Sequence, residues 1–243
     1  MFRFFKVAAT VVGFLILSAG KLRALTKLGK TDQDKMEEES LQIVRKMFVK
    51  ILKMAGAEVT VRGYEKIPED RPVLYVGNHR SYFDILVGYT TVPGRVGFIA
   101  KKEMEKIPFL SGWMINVNCL FLDRKNIKEG LKTILAGVEK IKRGVSVWIF
   151  PEGTRNRNDD PKELLPFKEG SLKIAEKSGC PVVPVAITGT ADIFEKHIPF
   201  IKPGKVTIEF GDPIFLKELP PEERKFAGAY TRKRIIEMLE KEN

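Results

Sequence analysis

Two segments of this 243-residue chain bring together side chains able to do chemistry. The first is Gly77-Asn78-His79-Arg80-Ser81-Tyr82-Phe83-Asp84. An imidazole transfers protons near neutral pH, and a carboxylate on one ring nitrogen holds its tautomer and stabilises the imidazolium. On one continuous helix, residues five apart point about 140° from each other and cannot meet. If His79 lies on a turn and Asp84 enters the next helix, the chain folds back and the two side chains form a general base. The spacing alone is more often that of a loop histidine followed by an unrelated helix-start acid.

The second segment is Phe150-Pro151-Glu152-Gly153-Thr154-Arg155. Proline stops a strand, glycine lets backbone approach a ligand, and Glu152 and Arg155 put opposite charges beside a hydroxyl. That set suits a polyol phosphate, with carboxylate to hydroxyl and guanidinium to phosphate; an ordinary charged turn has the same composition. Phe121-Leu122-Asp123-Arg124 offers a further anion ligand in Arg124, or a surface ion pair between Asp123 and Arg124.

These segments need elements to position them. From about Ala57, short β-rich runs alternate with helical ones. The expected strands are Glu58–Arg62, Val73–Val76, Arg95–Ala100, Val117–Leu122, Val145–Phe150, Val182–Ile187 and Lys205–Phe210. The expected helices include Ile127–Lys142, Gly170–Lys177 and Pro221–Lys241. Buried strands separated by helices predict an α/β fold, a mixed, mostly parallel sheet flanked by helices. In such sheets ligands bind beyond the carboxyl ends of strands, where all three segments fall.

In this order the residues resemble the glycerolipid acyltransferase family, and most closely its bacterial lysophosphatidate (1-acylglycerol-3-phosphate) acyltransferases. The resemblance rests on Asn78-His79 to Asp84, Phe121 to Arg124, Phe150 to Arg155 and Val183-Pro184-Val185-Ala186-Ile187, with Phe167-Lys168-Glu169-Gly170 similar to the family's F-K-x-G segment. Asn156 departs from it, standing where many members have serine. The resemblance implies a glycerol-3-phosphate acyltransferase-like fold and transfer of an acyl group from a thioester of acyl carrier protein or coenzyme A to the sn-2 hydroxyl of a membrane lipid acceptor. His79 would deprotonate that hydroxyl and Asp84 would orient and charge-balance His79. Arg124 would bind the acceptor phosphate, Glu152, Gly153, Thr154 and Arg155 would complete the acceptor site, and Lys102 would be a further phosphate ligand. The fourth block would be a buried strand lining the acyl pocket. Neither an acyl-enzyme, a cofactor nor a metal is implied.

The N-terminus carries a different message. The net charge is +11, and six of those charges lie in Met1–Lys30, which has no acid. Between Lys6 and Lys21 lie fourteen uncharged residues, Val7–Gly20, roughly 21 Å of helix against a hydrocarbon core about 30 Å thick. Bases flank the run on both sides, which disfavours a crossing. A helix dipping into one leaflet of an anionic membrane accommodates both facts, and the family resemblance implies that this is the cytoplasmic face. A cleaved signal peptide and a soluble core helix are the competing readings. Thr31–Gly56 is expected to be a second helix capped by Thr31 and joined to the first near Gly29. Residues 1–56 are thus expected to form a two-helix membrane-binding motif and 57–243 the catalytic domain.

Other classes fit less well. Beyond residue 30 the chain is nearly charge-balanced, unlike a dispersed nucleic-acid footprint. Cys119 and Cys180 form no C-x-x-C pair, His79 and His197 are the only histidines, and no G-x-S-x-G elbow occurs. Gly29-Lys30-Thr31 lacks the first glycine of a phosphate-binding loop. An acyltransferase acting on glycerol-3-phosphate or another lysophospholipid, and a non-catalytic basic membrane scaffold, remain the alternatives.

Overall fold

The computed structural model describes residues 2–241. Met1, Glu242 and Asn243, at the ends of the two expected domain ranges, lie outside them. Seven strands form one sheet: β1 (Ala57–Arg62), β2 (Leu74–Gly77), β3 (Val96–Lys101), β4 (Leu120–Leu122), β5 (Ser146–Ile149), β6 (Val182–Thr188) and β7 (Gly204–Phe210), in spatial order β1-β7-β6-β2-β5-β3-β4. All neighbours are parallel except β6 and β7, which makes the sheet mixed. β2 and β5 are buried on both faces, as their unbroken apolar sequences require.

Side chains alternate between two cores. Tyr75, Trp148, Val183 and Val185 face one side, which is covered by α1 (Phe2–Leu17), α2 (Ala19–Leu28), α3 (Gln33–Ala55), α4 (Phe83–Thr91) and α5 (Leu110–Asn116). Leu74, Val76, Val147 and Ile149 face the other, under α6 (Ile127–Lys142), α7 (Lys173–Ser178) and, past the short α8 (Thr190–Ile193) and α9 (Pro221–Lys225), α10 (Ala227–Glu240).

The N-terminal apolar run is not one helix. α1 and α2 meet at Ser18 with a 51° bend. Ser18 Oγ donates to the Phe14 carbonyl and accepts the Trp113 indole N–H at 3.1 Å. Phe4, Val7, Val11 and Phe14 pack against the body, while Phe2, Phe5, Val12, Ile16 and Leu17 stay exposed, the last two by 60% and 87%. Among the described residues no single helix is long and apolar enough to cross a membrane; α1 and α2 reach that length only as a bent pair. α3 is capped by Asp32, which accepts the Lys35 amide, and not by Thr31, whose hydroxyl donates back to the Leu28 carbonyl. Glu37 on α3 is buried and pairs with Arg95 and Arg143, each at 3.2 Å, tying the N-terminal helices to β3 and to the end of α6.

Three expected elements change. Val117–Leu122 shortens to β4, because residues 110–116 are helical and Asn118 takes φ 66°. Pro221–Lys241 breaks at Phe226 into α9 and α10. Gly170–Lys177 begins as a 3-10 turn, Glu169–Leu172, before α7.

Candidate active site

The site is built where β2, β5 and β6 end. Asn78, just past β2, grips the neighbouring strand: its amide Nδ2 donates to the Ile187 carbonyl at 2.9 Å and its Oδ1 accepts the Ile187 N–H at 2.8 Å. The chain then turns sharply, with Ser81 Oγ accepting the Phe83 amide as α4 begins. Asp84 therefore enters in the first turn of α4 and folds back on the histidine. His79 Nδ1 lies 2.8 Å from Asp84 Oδ2.

Asp84 is sealed at 1% exposure, whereas the His79 side chain is 15% exposed. A buried carboxylate must have its acceptor capacity filled. Oδ2 also accepts the amides of Arg80 at 2.7 Å and Ser81 at 2.8 Å, and Oδ1 accepts the Thr190 hydroxyl at 2.6 Å. The Phe150 ring, from the end of β5, stacks on the imidazole at 4.1 Å and 12°. With Nδ1 on Asp84 and a ring face on Phe150, Nε2 is left without a protein partner among the described residues. A neutral imidazole so held, with its proton on Nδ1, is a general base through Nε2.

The Phe150–Arg155 loop sits against this pair. Glu152, expected to meet an acceptor hydroxyl, is buried and committed to backbone: Oε1 accepts the His79 amide at 2.8 Å and Oε2 the Leu165 amide at 2.9 Å. Burial raises its pKa, against the pull of those two amides. Its two bonds tie the His79 turn to the loop, as does the Asn156 backbone amide, which donates to the His79 carbonyl at 2.7 Å. Arg80 is buried and holds the polar loop from below, donating to the carbonyls of Asn158 and Asp160.

The expected phosphate ligands divide. Arg155 pairs with Glu195 at 3.0 Å and lies 3.8 Å over the Tyr82 ring. Lys102 pairs with Glu105 at 2.8 Å in an exposed turn. Arg124 forms no ion pair among the described residues, with Glu103 acting on it at longer range, and reaches toward Gly153; Thr154 is exposed beside it. Thr190, Phe150 and Glu195 had no assigned role. The strand-end rule that singled out the other segments reaches Thr190 too, two residues beyond β6. Nothing local in the sequence marks Glu195, which comes to Arg155 through tertiary folding alone.

Comparison with known proteins places this geometry. Residues 58–188, more than half of the chain, match the family model described as Acyltransferase, and the chain belongs to that family. Among its relatives are 1-acyl-sn-glycerol-3-phosphate acyltransferases. The one from Borreliella burgdorferi is 32% identical over 199 residues, covering 82% of this chain and 78% of its own. The one from Haemophilus influenzae is 31% identical, covering 81% and 82%. The human alpha form is 31% identical over 76% of this chain, and the match spans 65% of its length. The crystal structure of the 1-acyl-sn-glycerophosphate acyltransferase PlsC from Thermotoga maritima superposes with a TM-score of 0.77 at 30% identity, covering 98% of this chain and 93% of that one.

Proposed function

We propose that this chain transfers a fatty acyl group from an acyl thioester to the sn-2 hydroxyl of 1-acyl-sn-glycerol-3-phosphate, giving phosphatidic acid and a free thiol. The observation that carries the mechanism is the His79–Asp84 pair, sealed on its carboxylate side and open at Nε2. Nε2 takes the proton of the acceptor hydroxyl as its oxygen attacks the thioester carbonyl. Asp84 holds Nδ1–H and balances the imidazolium. The C–S bond of the tetrahedral intermediate then breaks and the sulfur leaves as thiol with the proton from Nε2. Cys119 and Cys180 are both buried, which favours direct attack over an acyl-enzyme. The donor, acyl carrier protein or coenzyme A thioester, is a substrate, and no cofactor or metal enters the scheme.

The first 56 residues are read as the membrane-binding motif, with the outer face of α1 in one leaflet at the cytoplasmic face and the catalytic domain above it. Its exposed apolar stripe and its flanking bases, Arg3, Lys6, Lys21 and Arg23, support this reading.

The test is thiol release by detergent-purified protein offered acyl thioesters and a panel of acceptors, including glycerol-3-phosphate and other lysophospholipids. Release dependent on 1-acyl-sn-glycerol-3-phosphate is expected. Preference for another acceptor, or release without one, overturns the assignment. His79→Ala should lower the rate by about 10²–10⁴-fold, the typical worth of a positioned base, with the melting temperature preserved. More than a tenth of the activity surviving would exclude His79 as the base.

A further inference from the structure

We infer that Lys168 is the second cation of the acceptor-phosphate site, closing with Arg124 over Gly153 where the motif alone pointed to Arg155. The inference rests on the proposed reaction, whose acceptor is a phosphate monoester.

Its basis is the disposition of cations around one loop. Arg155 is occupied on two sides, by the Glu195 carboxylate and by the Tyr82 ring, and Lys102 is occupied by Glu105. Arg124 and Lys168 form no ion pair among the described residues, Glu103 acting on Arg124 only at longer range. They converge nonetheless: a Cβ built on Gly153 would lie 3.0 Å from Lys168 Nζ and 3.8 Å from Arg124 Nη1. Two like charges held over one backbone position repel each other unless an anion joins them. Gly153 keeps the space open in two ways, by having no side chain and by adopting φ 74°, where other residues are strained.

The backbone under Lys168 is fixed. Its amide donates to the Pro151 carbonyl at 3.2 Å and its own carbonyl accepts the Ser171 amide at 2.9 Å. Phe167 beside it is buried while Lys168 is exposed. The ammonium is thus tethered to the loop that also carries Glu152 and, through it, His79. A phosphate monoester has a second pKa near 6 and is close to a dianion at neutral pH, which two cations match and one does not. Arg155 then acts as a positioning residue, joining Tyr82 of the catalytic turn to Glu195 beyond α8.

Steady-state kinetics on Lys168→Met, which keeps the aliphatic stem, test the inference. The KM for 1-acyl-sn-glycerol-3-phosphate should rise about tenfold or more, the worth of one charge-assisted hydrogen bond. Turnover, donor KM and melting temperature should change little, and Lys168→Arg should recover most of the affinity. In wild type the acceptor KM should rise as pH falls through about 6, where the dianion is lost; in Lys168→Met that dependence should flatten. Arg155→Met should lower kcat and melting temperature more than it raises the acceptor KM. An unchanged acceptor KM in Lys168→Met overturns the inference. So does a rise in the donor KM in its place, or a large rise in acceptor KM confined to Arg155→Met. A wild type that releases no thiol with this acceptor removes the proposed function instead, so the two failures are told apart.

Discussion

Asp84 gathers four donors, three of them on Oδ2 (the imidazole and two backbone amides) and the Thr190 hydroxyl on Oδ1. The amides come from the two residues after the histidine, so the same tight turn that delivers His79 also holds its partner. Thr190 comes from the start of α8, beyond β6, and its hydroxyl donates to the other carboxylate oxygen. Thr190→Val is nearly isosteric and leaves Oδ1 buried without a donor. It should cost about 1–3 kcal/mol of stability, read from denaturant midpoints, and lower kcat more than it changes the acceptor KM. The His79–Asp84 pairing was legible only in the company of the other motif segments, because the spacing of the two residues fits an unrelated loop histidine and helix-start acid as well. The Thr190 bond was not, since it joins residues 106 apart. The same holds for Glu152: its charge and its place in the motif suggested a substrate ligand, whereas burial and two backbone amides make it a brace.

At the level of elements, the His79 turn depends on a splice that carries the β2–β6 pairing one residue past the end of β2. Asn78 performs it with a side-chain amide that mimics a peptide group, pairing both ways with Ile187. Asn78→Ala leaves a buried carbonyl and a buried amide unpaired, so a loss of about 1–3 kcal/mol for each unsatisfied group is expected, with a fall in kcat as the turn loosens. Chemical denaturation and turnover measured on the same variant check both. Strand and helix order were readable from apolar runs and turns, because the central strands are buried on both faces. What escaped was set by backbone detail and tertiary packing. Asn118 at φ 66° ends the helical stretch before β4, β7 runs antiparallel to β6, and the Trp113 indole holds the kink between α1 and α2.

For the molecule as a whole, the question is how the N-terminal helices and the sheet act as one body. α1 packs one stripe on the domain and shows another apolar stripe outward; Glu37 on α3, buried among Arg95 and Arg143, binds the same assembly to the far edge of the sheet. Glu37 also accepts the Gln33 side-chain amide and lies 3.9 Å from Lys140, so α3 is joined to the body through several partners at once. The lipid role proposed for the N-terminal helices is tested without unfolding them. Ile16 and Leu17 are exposed, so Ile16→Glu with Leu17→Glu should leave the melting temperature in detergent unchanged and sharply reduce co-sedimentation with anionic phospholipid vesicles. Binding equal to wild type would exclude the α1 face as the membrane contact.

The bend at Ser18 is fastened to the body by the Trp113 indole, and Trp113 is itself buried. The angle between α1 and the sheet is thereby a fixed property of the fold, and so is the height of His79 above whatever plane α1 rests in. An enzyme moored at constant height meets its lipid substrate by lateral diffusion, in two dimensions. Its rate should then follow the mole fraction of acceptor in the surface and be indifferent to the bulk amount: diluting vesicles with inert lipid at constant total acceptor should slow it, and adding buffer should not.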